Sequence, residues 1–180
     1  MKTNTKTYFE LEIPLEGRSS LLSSLKESFR GIPVRWQKGF WHVTIVFMDS
    51  TPDIAKASGI ISRHLVSFSP VQISIDQLEA FTTSSGKGHV IALSTKAVPQ
   101  EISTLAENLR KDFSRIGCTI RSRFFFHITL GRVDAEDAGL AELGAALMEV
   151  NYKGFIVTAS KFNYRIFRGE LIRSWNLSLR

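Results

Sequence analysis

"FWHVTIVFMD" (residues 40–49) and "FFFHITLGRV" (124–133) repeat one pattern: an aromatic lead-in, then histidine, an apolar residue, threonine and another apolar residue. Both runs are rich in β-branched and aromatic side chains, which marks them as strands. Side chains of a strand alternate between its two faces. His42 and Thr44 therefore share a face, with Trp41, Val43, Ile45 and Phe47 expected on the other. His127 and Thr129 share a face in the same way, opposite Phe126, Ile128 and Leu130. An imidazole is costly among phenylalanines unless something nearby uses it. One such strand is weak evidence, because a histidine beside a threonine is often merely tolerated. Two copies, which use two of only four histidines in the chain, weigh far more.

Outward from these strands, "YFELEIP" (8–14) alternates Phe9, Leu11 and Ile13 against Tyr8, Glu10 and Glu12, a half-buried strand. After Gly17, Leu21, Leu22, Leu25 and Phe29 form one helical stripe. "GIPVRWQKG" (31–39) predicts a turn and a short strand before the first motif. "STPDIAKASGIISRHLVSF" (50–68) opens with a helix-start signal, and its stripe is Ile54, Ala57, Ile61 and Leu65. "VQISIDQLEAF" (71–81) alternates as one strand, "TTSSGKGH" (82–89) is a turn, and "VIALSTK" (90–96) returns as the second arm of a hairpin.

From Pro99 a second helix carries Ile102, Leu105, Leu109, Phe113 and Ile116. "CTIRSRFFFHITLGRV" (118–133) is predicted as strand, bend and strand, and "AEDAGLAELGAALMEV" (135–150) as a helix weakened by two glycines. The tail from Phe155 is strand-like, with Trp175, Leu177 and Leu179 on one face. Residues 8–49 and 88–133 share an order of strand, helix and paired strands ending in His-x-Thr-x. That weak duplication predicts an α+β fold of two related lobes facing one another.

Bulk properties narrow the field. A chain of 180 residues is expected to form one compact domain, and 43% hydrophobic with 22% charged residues suits a soluble globular protein. No apolar run approaches the roughly 20 residues needed to span a bilayer. The start, "MKTNTKTYFELEIP", lacks the apolar core of a secretory signal, so a cytoplasmic location is expected. The one cysteine, Cys118, leaves no intrachain disulfide and no cysteine-rich zinc site, and it is expected to be a small buried hydrophobe. A formal net charge of +6 and a pI near 9.7 suit either polyanionic partners such as nucleic acid or nucleotides, or a basic solvated surface with no partner, and charge alone does not separate the two. The basic residues are scattered, which suits a lined groove more than a tail.

If the two lobes pack with the histidine faces inward, two imidazoles and two hydroxyls line one cleft. In-line opening of a phosphodiester needs a base on the attacking oxygen and an acid on the leaving one, on opposite sides of phosphorus. Histidine, with an ordinary pKa of about 6.5, serves as either. Threonine hydroxyls can hydrogen-bond the non-bridging oxygens between the rings. Neither metal nor cofactor is required. Zinc is the other use for paired histidines, but each motif offers one imidazole, and no Asp, Glu or Cys of matching parity sits beside it in sequence. Asp49, the nearest carboxylate in sequence, is off the parity of His42.

Arg132 lies five positions past His127, so a regular strand would aim it at the opposite face; Gly131 is expected to permit a bulge that turns it into the groove to neutralise a phosphate. Phe125 has the parity of His127 and is the candidate for stacking on a base. Trp36, Phe40 and Trp41 are expected to pack in the core, with stacking of one ring on a base at the groove mouth as the alternative. Arg35, Lys38 and Arg123 either steer RNA or are simply solvated. His64 flanks a helix stripe and His89 follows a turn, and neither is assigned a role. The "SGKG" turn lacks the spacing of a phosphate loop.

With "VRWQKGFWHVTIVFMD" (34–49), "LAENLRKDFSRIGCTIRSRFFFHITLGRV" (105–133) and the closing "RSWNLSL" (173–179), nearly the whole chain resembles the 2H phosphoesterases, named for paired His-x-Thr-x motifs, and among them the bacterial RNA 2′,3′-cyclic phosphodiesterases first described as 2′-5′ RNA ligases. The resemblance implies a bilobal LigT-like fold around a central groove with pseudo-two-fold symmetry. It implies His127 as the base that activates water, His42 as the acid that protonates the departing ribose oxygen, and Thr44 and Thr129 as phosphate holders. The substrates it implies are RNA ends or small cyclic nucleotides, opened to 2′-phosphomonoesters or, in reverse, ligated. A monomer without membrane or metal partner is expected. Phosphodiesterase action on 2′-5′ oligonucleotides or on an ADP-ribose cyclic phosphate, and a non-catalytic nucleotide- or RNA-binding module, stay open as alternatives.

Overall fold

The alternating apolar residues of the first strand decide where the core lies. In the computed structural model, which describes residues 5–15, 17–38, 40–120, 123–167 and 169–177, Phe9, Leu11 and Ile13 of β1 (Thr7–Ile13) are all fully buried. There follow α1 (Ser19–Ser28), β2 (Arg35–Trp36), β3 (Trp41–Met48), α2 (Ile54–Leu65), β4 (Val71–Ile75), β5 (Gln77–Thr82), β6 (Gly88–Ser94) and α3 (Gln100–Arg115). β7 (Ile128–Asp134), α4 (Leu140–Met148), β8 (Phe155–Ala159), β9 (Lys161–Ile166) and β10 (Leu171–Asn176) complete the chain.

One antiparallel sheet runs β10-β9-β1-β3-β7-β6-β5, with β2 paired to β7, and β4 and β8 form a separate two-stranded sheet. The first half of the large sheet, ending at β3, meets the second half at β7, where Val43 pairs with Ile128. Each half ends in a His-x-Thr-x strand, so the two motifs lie side by side at the centre. One face of the sheet is apolar: Phe9 stacks on Tyr164 at 4.4 Å, Phe113 at 4.9 Å and Phe162 at 5.9 Å between ring centroids. Phe113 comes from α3, whose Ile102, Leu105 and Leu109 are buried with it. Each such buried aromatic removes 150–250 Å² from water, so this cluster dominates the hydrophobic stabilisation of the first half.

Several expectations change. "VQISIDQLEAF" is two strands in two sheets, because β4 pairs with β8 while β5 pairs with β6. Asp76 makes the break: its carboxylate accepts from the Lys96 amide at 2.8 Å and its own amide donates to the Ser94 carbonyl at 3.2 Å. The α2 stripe is rotated, with Ala57, Ser58, Ile60 and Ile61 inward and Ile54 exposed at the first turn. Asp53 caps that helix through the Lys56 amide at 2.9 Å. Ile116 lies beyond α3 and is exposed. Gly139 precedes α4 as its N-cap, leaving Gly144 as the interior glycine. Before β7 the described residues are mostly irregular, with one bridge between Ile120 and Met48, so His127 stands just outside the strand. Leu179 lies outside the described residues. No helix among those described is long and apolar enough to cross a membrane.

The two central strands share a further irregularity. Phe9 pairs with Val46 but Glu10 with Thr44, leaving Ile45 as an extra residue. Likewise Ile91 pairs with Gly131 but Ala92 with Thr129, leaving Leu130 over. Each strand bulges one residue after its motif threonine, at the same place in both halves.

Candidate active site

The register at the join lays out the floor of the site. Val43 and Ile128 face each other and are fully buried on the apolar side. One step along these antiparallel strands brings His42 beside Thr129 and Thr44 beside His127, all four on the opposite face and partly exposed. The two imidazoles thus stand on a diagonal, with a hydroxyl beside each.

The bulges decide what lies next along the strands. Glu10 and Tyr8 have one parity, and they pair with Thr44 and Phe47. Ala92 and Val90 have one parity, and they pair with Thr129 and Arg132. Arg132 therefore lies on the face of Thr129. Phe47, expected with Val43 and Ile45, instead lies on the face of Thr44, because a strand pattern read with a strict period of two misses the extra residue. Gly131 is not the bulged residue, nor does it have positive φ. It is small because β2 presses on it: a Cβ there would lie 2.6 Å from Val34 Cγ1 and 3.1 Å from Trp36 Cε3.

His42 is backed by a buried polar network from the neighbouring strands. Its Nδ1 is 3.5 Å from Glu10 Oε2, and Glu10 is fully buried. Glu10 Oε1 accepts from Arg165 Nε at 2.7 Å and from Asn163 Nδ2 at 3.0 Å, whereas Oε2 has no hydrogen-bond partner. Asn163 Nδ2 also donates to Glu12 at 3.0 Å, and Ser174 donates to Asn163 Oδ1 at 2.7 Å. The Arg165 guanidinium covers the Phe40 ring at 3.9 Å, and that ring also meets His42 at 5.3 Å. Burial first, then the positive charges of Arg165, His127 and Arg132, push the His42 pKa down to about 4. Burial raises the Glu10 carboxyl against the pull of Arg165 and Asn163, and burial with the charge of Glu10 raises Tyr8 to about 12.

His127 has a different support. Its Nδ1 lies 3.1 Å from the Phe125 carbonyl oxygen, which can only accept, so Nδ1 carries the hydrogen and Nε2 presents a lone pair. Phe81 meets the ring edge-on at 5.4 Å and Phe125 lies tilted at 5.4 Å. Burial lowers the pKa of His127, opposed by its bond to Phe125. Phe125 remains 53% exposed, an open ring beside the site.

The remaining candidates lie elsewhere or are occupied. Arg35 makes a two-pronged ion pair with Asp134. Lys38 and Arg123 are exposed. His64 binds Asp112 at 2.8 Å, and His89 is buried against the Thr82 hydroxyl at 3.2 Å. Cys118 is buried, which raises its thiol pKa. Trp36 packs edge-on against Phe29 at 5.8 Å. Sequence reasoning missed Glu10, Asn163 and Arg165. Their only local signal was the acidic pair Glu10 and Glu12 on the polar face of β1, and it needed the pairing of β1 with both β3 and β9 to acquire meaning.

Known proteins resemble this chain in family and in fold. Residues 32–161 match the model of the 2′-5′ RNA ligase superfamily. E. coli LigT complexed with 3′-AMP superposes with a TM-score of 0.64 at 19% identity, over 97% of this chain and 98% of that one. A crystal structure described only as a phosphoesterase gives 0.63 at 17% identity, over 97% and 99%. Kluyveromyces marxianus Usb1 gives 0.59 at 9% identity, over 98% and 99%. No curated protein matches the sequence. The α+β fold is that of LigT over nearly the whole chain, and its paired His-x-Thr-x strands are the 2H pattern. This chain belongs to the 2′-5′ RNA ligase superfamily of 2H phosphoesterases.

Proposed function

We propose that the protein is a metal-independent phosphodiesterase that opens 2′,3′-cyclic phosphates of RNA ends or nucleotides to 2′-phosphomonoesters. The observation that carries this is the diagonal of two imidazoles, each beside a hydroxyl, across the central strand pair. Water attacks phosphorus in line with the P–O3′ bond and gives its proton to Nε2 of His127. The bond to O3′ breaks, and that oxygen takes a proton from His42. Thr44 and Thr129 donate to the non-bridging oxygens, and Arg132 offsets their charge. His42 is neutral in the free protein, and the arriving phosphate anion opposes the cations that hold its pKa down, which favours the protonated acid.

Two further facts support a nucleotide substrate. LigT has been crystallised with 3′-AMP, and Usb1 with uridine monophosphate. Phe125 leaves a ring open beside His127 on which a base can stack. The test is incubation with the four nucleoside 2′,3′-cyclic phosphates in EDTA, followed by phosphorus NMR. A 2′-monoester is expected, with kcat reduced about 10²–10⁴-fold in His42→Ala and in His127→Ala. Undiminished turnover in both variants overturns the proposal.

A further inference from the structure

The two half-sites are related by the repeated strand and bulge, yet their supports differ, and the difference points to a role for Glu10. Opposite Thr44 stands Glu10, and opposite Thr129 stands Ala92. Opposite Phe47 stands Tyr8, and opposite Arg132 stands Val90. One strand further out, Asn163 follows Glu10, whereas Glu79 follows Ala92 and binds the Ser94 hydroxyl. A carboxylate thus lies within reach of Nδ1 of His42, and a neutral backbone carbonyl fills that place for His127.

We propose that Glu10 is a positioning residue that holds the Nδ1 proton of His42 and so makes His42, rather than His127, the proton donor. The inference deepens the phosphodiesterase reading and rests on it. A fully buried carboxylate oxygen without a donor is a rare condition in a native protein, and Glu10 Oε2 is in it. The other oxygen is held by Arg165 and Asn163, which leaves Oε2 3.5 Å from the imidazole, with the Tyr8 hydroxyl the other group that meets the Glu10 carboxyl. At 3.5 Å the contact is too long for a good hydrogen bond, as is common for catalytic pairs before substrate binds. Protonation of His42 satisfies it: Nδ1–H donates to Oε2 while Nε2–H faces the leaving oxygen. After transfer of the Nε2 proton to the ribose oxygen, the neutral ring keeps its Nδ1–H on Glu10. Arg165 holds Glu10 in place and lies on the Phe40 ring that packs against His42, while its charge opposes protonation of that histidine until an anion arrives. Among the described residues no carboxylate contacts Nδ1 of His127; Glu79 acts on that ring only through its charge, and the carbonyl partner of Nδ1 fixes the tautomer a base requires.

Kinetics of Glu10→Gln test this on two substrates: a nucleoside 2′,3′-cyclic phosphate, whose leaving ribose oxygen needs a proton, and a nucleoside p-nitrophenyl phosphodiester, whose leaving phenolate does not. The charged and titratable groups facing the pair are Tyr8, Glu12, Lys161 and Arg165 around Glu10, with Arg165, His127 and Arg132 around His42; all stay unchanged in the variant. Expected are a roughly 10- to 100-fold fall in kcat on the cyclic phosphate with KM nearly constant, less than about threefold loss on the nitrophenyl ester, and a shift of the His42-dependent limb of the pH profile to lower pH. Equal losses on both substrates, or none, overturn the role of Glu10 and leave the phosphodiesterase reading standing. A wild-type protein inactive on every cyclic phosphate overturns that reading instead. Should the variant fail to fold, nitrogen-15 NMR of wild-type His42 with bound inorganic phosphate decides: a protonated Nδ1 is expected, and a bare Nδ1 overturns the proposal.

Discussion

Acidification from pH 7 to pH 5 is expected to destabilise the protein through His42. In the unfolded chain this imidazole titrates near 6.5, and in the fold at about 4. Between those values the unfolded state binds a proton that the folded state refuses, so stability falls as pH falls. The penalty is absent above the unfolded pKa and complete below about 4. The side chain is only 21% exposed, so solvent screening removes little of it. Linkage over this window gives about 2 kcal/mol lost at pH 5 and about 3 kcal/mol at pH 4 from this residue. Glu10, whose carboxyl is raised, works in the opposite direction, and His127, which is lowered, adds to the loss.

The His42 contribution is isolated by urea denaturation at pH 7, 6 and 5 of wild type and His42→Gln. The stability difference between the two is expected to move toward the variant by about 2 kcal/mol across the range. A proton NMR titration of the His42 ring should give a midpoint near 4. A midpoint at or above 6.5, with parallel pH profiles for the two proteins, would refute the reasoning.

Three further outcomes follow from the packing and the charge. Arg132→Gln removes a charged hydrogen-bonding group from the face of Thr129 and should lower kcat/KM roughly 10- to 100-fold; unchanged kinetics would remove Arg132 from the proposed site. Gly131→Ala drives a Cβ into Val34 and Trp36 and should cost about 1–3 kcal/mol in urea denaturation, as β2 is pushed off β7. Phe9→Ala empties the stack of Tyr164, Phe113 and Phe162 and should cost about 3–5 kcal/mol by the same measurement, since the rigid ring cluster cannot close over the space.

Much of this was legible in the sequence because local periodicity is physical. The faces of β1, the α3 stripe and the pairing of each histidine with its threonine follow from side-chain direction alone. What escaped depends on contacts between distant strands. The alternation of residues 71–81 shifts phase at Asp76 and Gln77, two polar residues in succession, and a slip of one residue is easily read as a single strand although it marks where the chain changes sheets. The bulges after Thr44 and Thr129 keep an apolar residue at the extra position, Ile45 and Leu130, and therefore look like continued strand. Glu10 looked like a surface residue of a half-buried strand. Its burial arises because β9 brings Asn163 and Arg165 to it from the far end of the chain, and no local pattern carries that information.

The join between β3 and β7 has one more consequence. Each half of the large sheet supplies one motif histidine, and the strands that carry them meet at Val43 and Ile128. The spacing of the two rings is thus set at a seam that two buried apolar side chains fill from below. Trimming or wedging those side chains should shift the spacing while every polar residue stays intact. On the proposed mechanism, turnover would then respond to substitutions on the hidden side of the sheet.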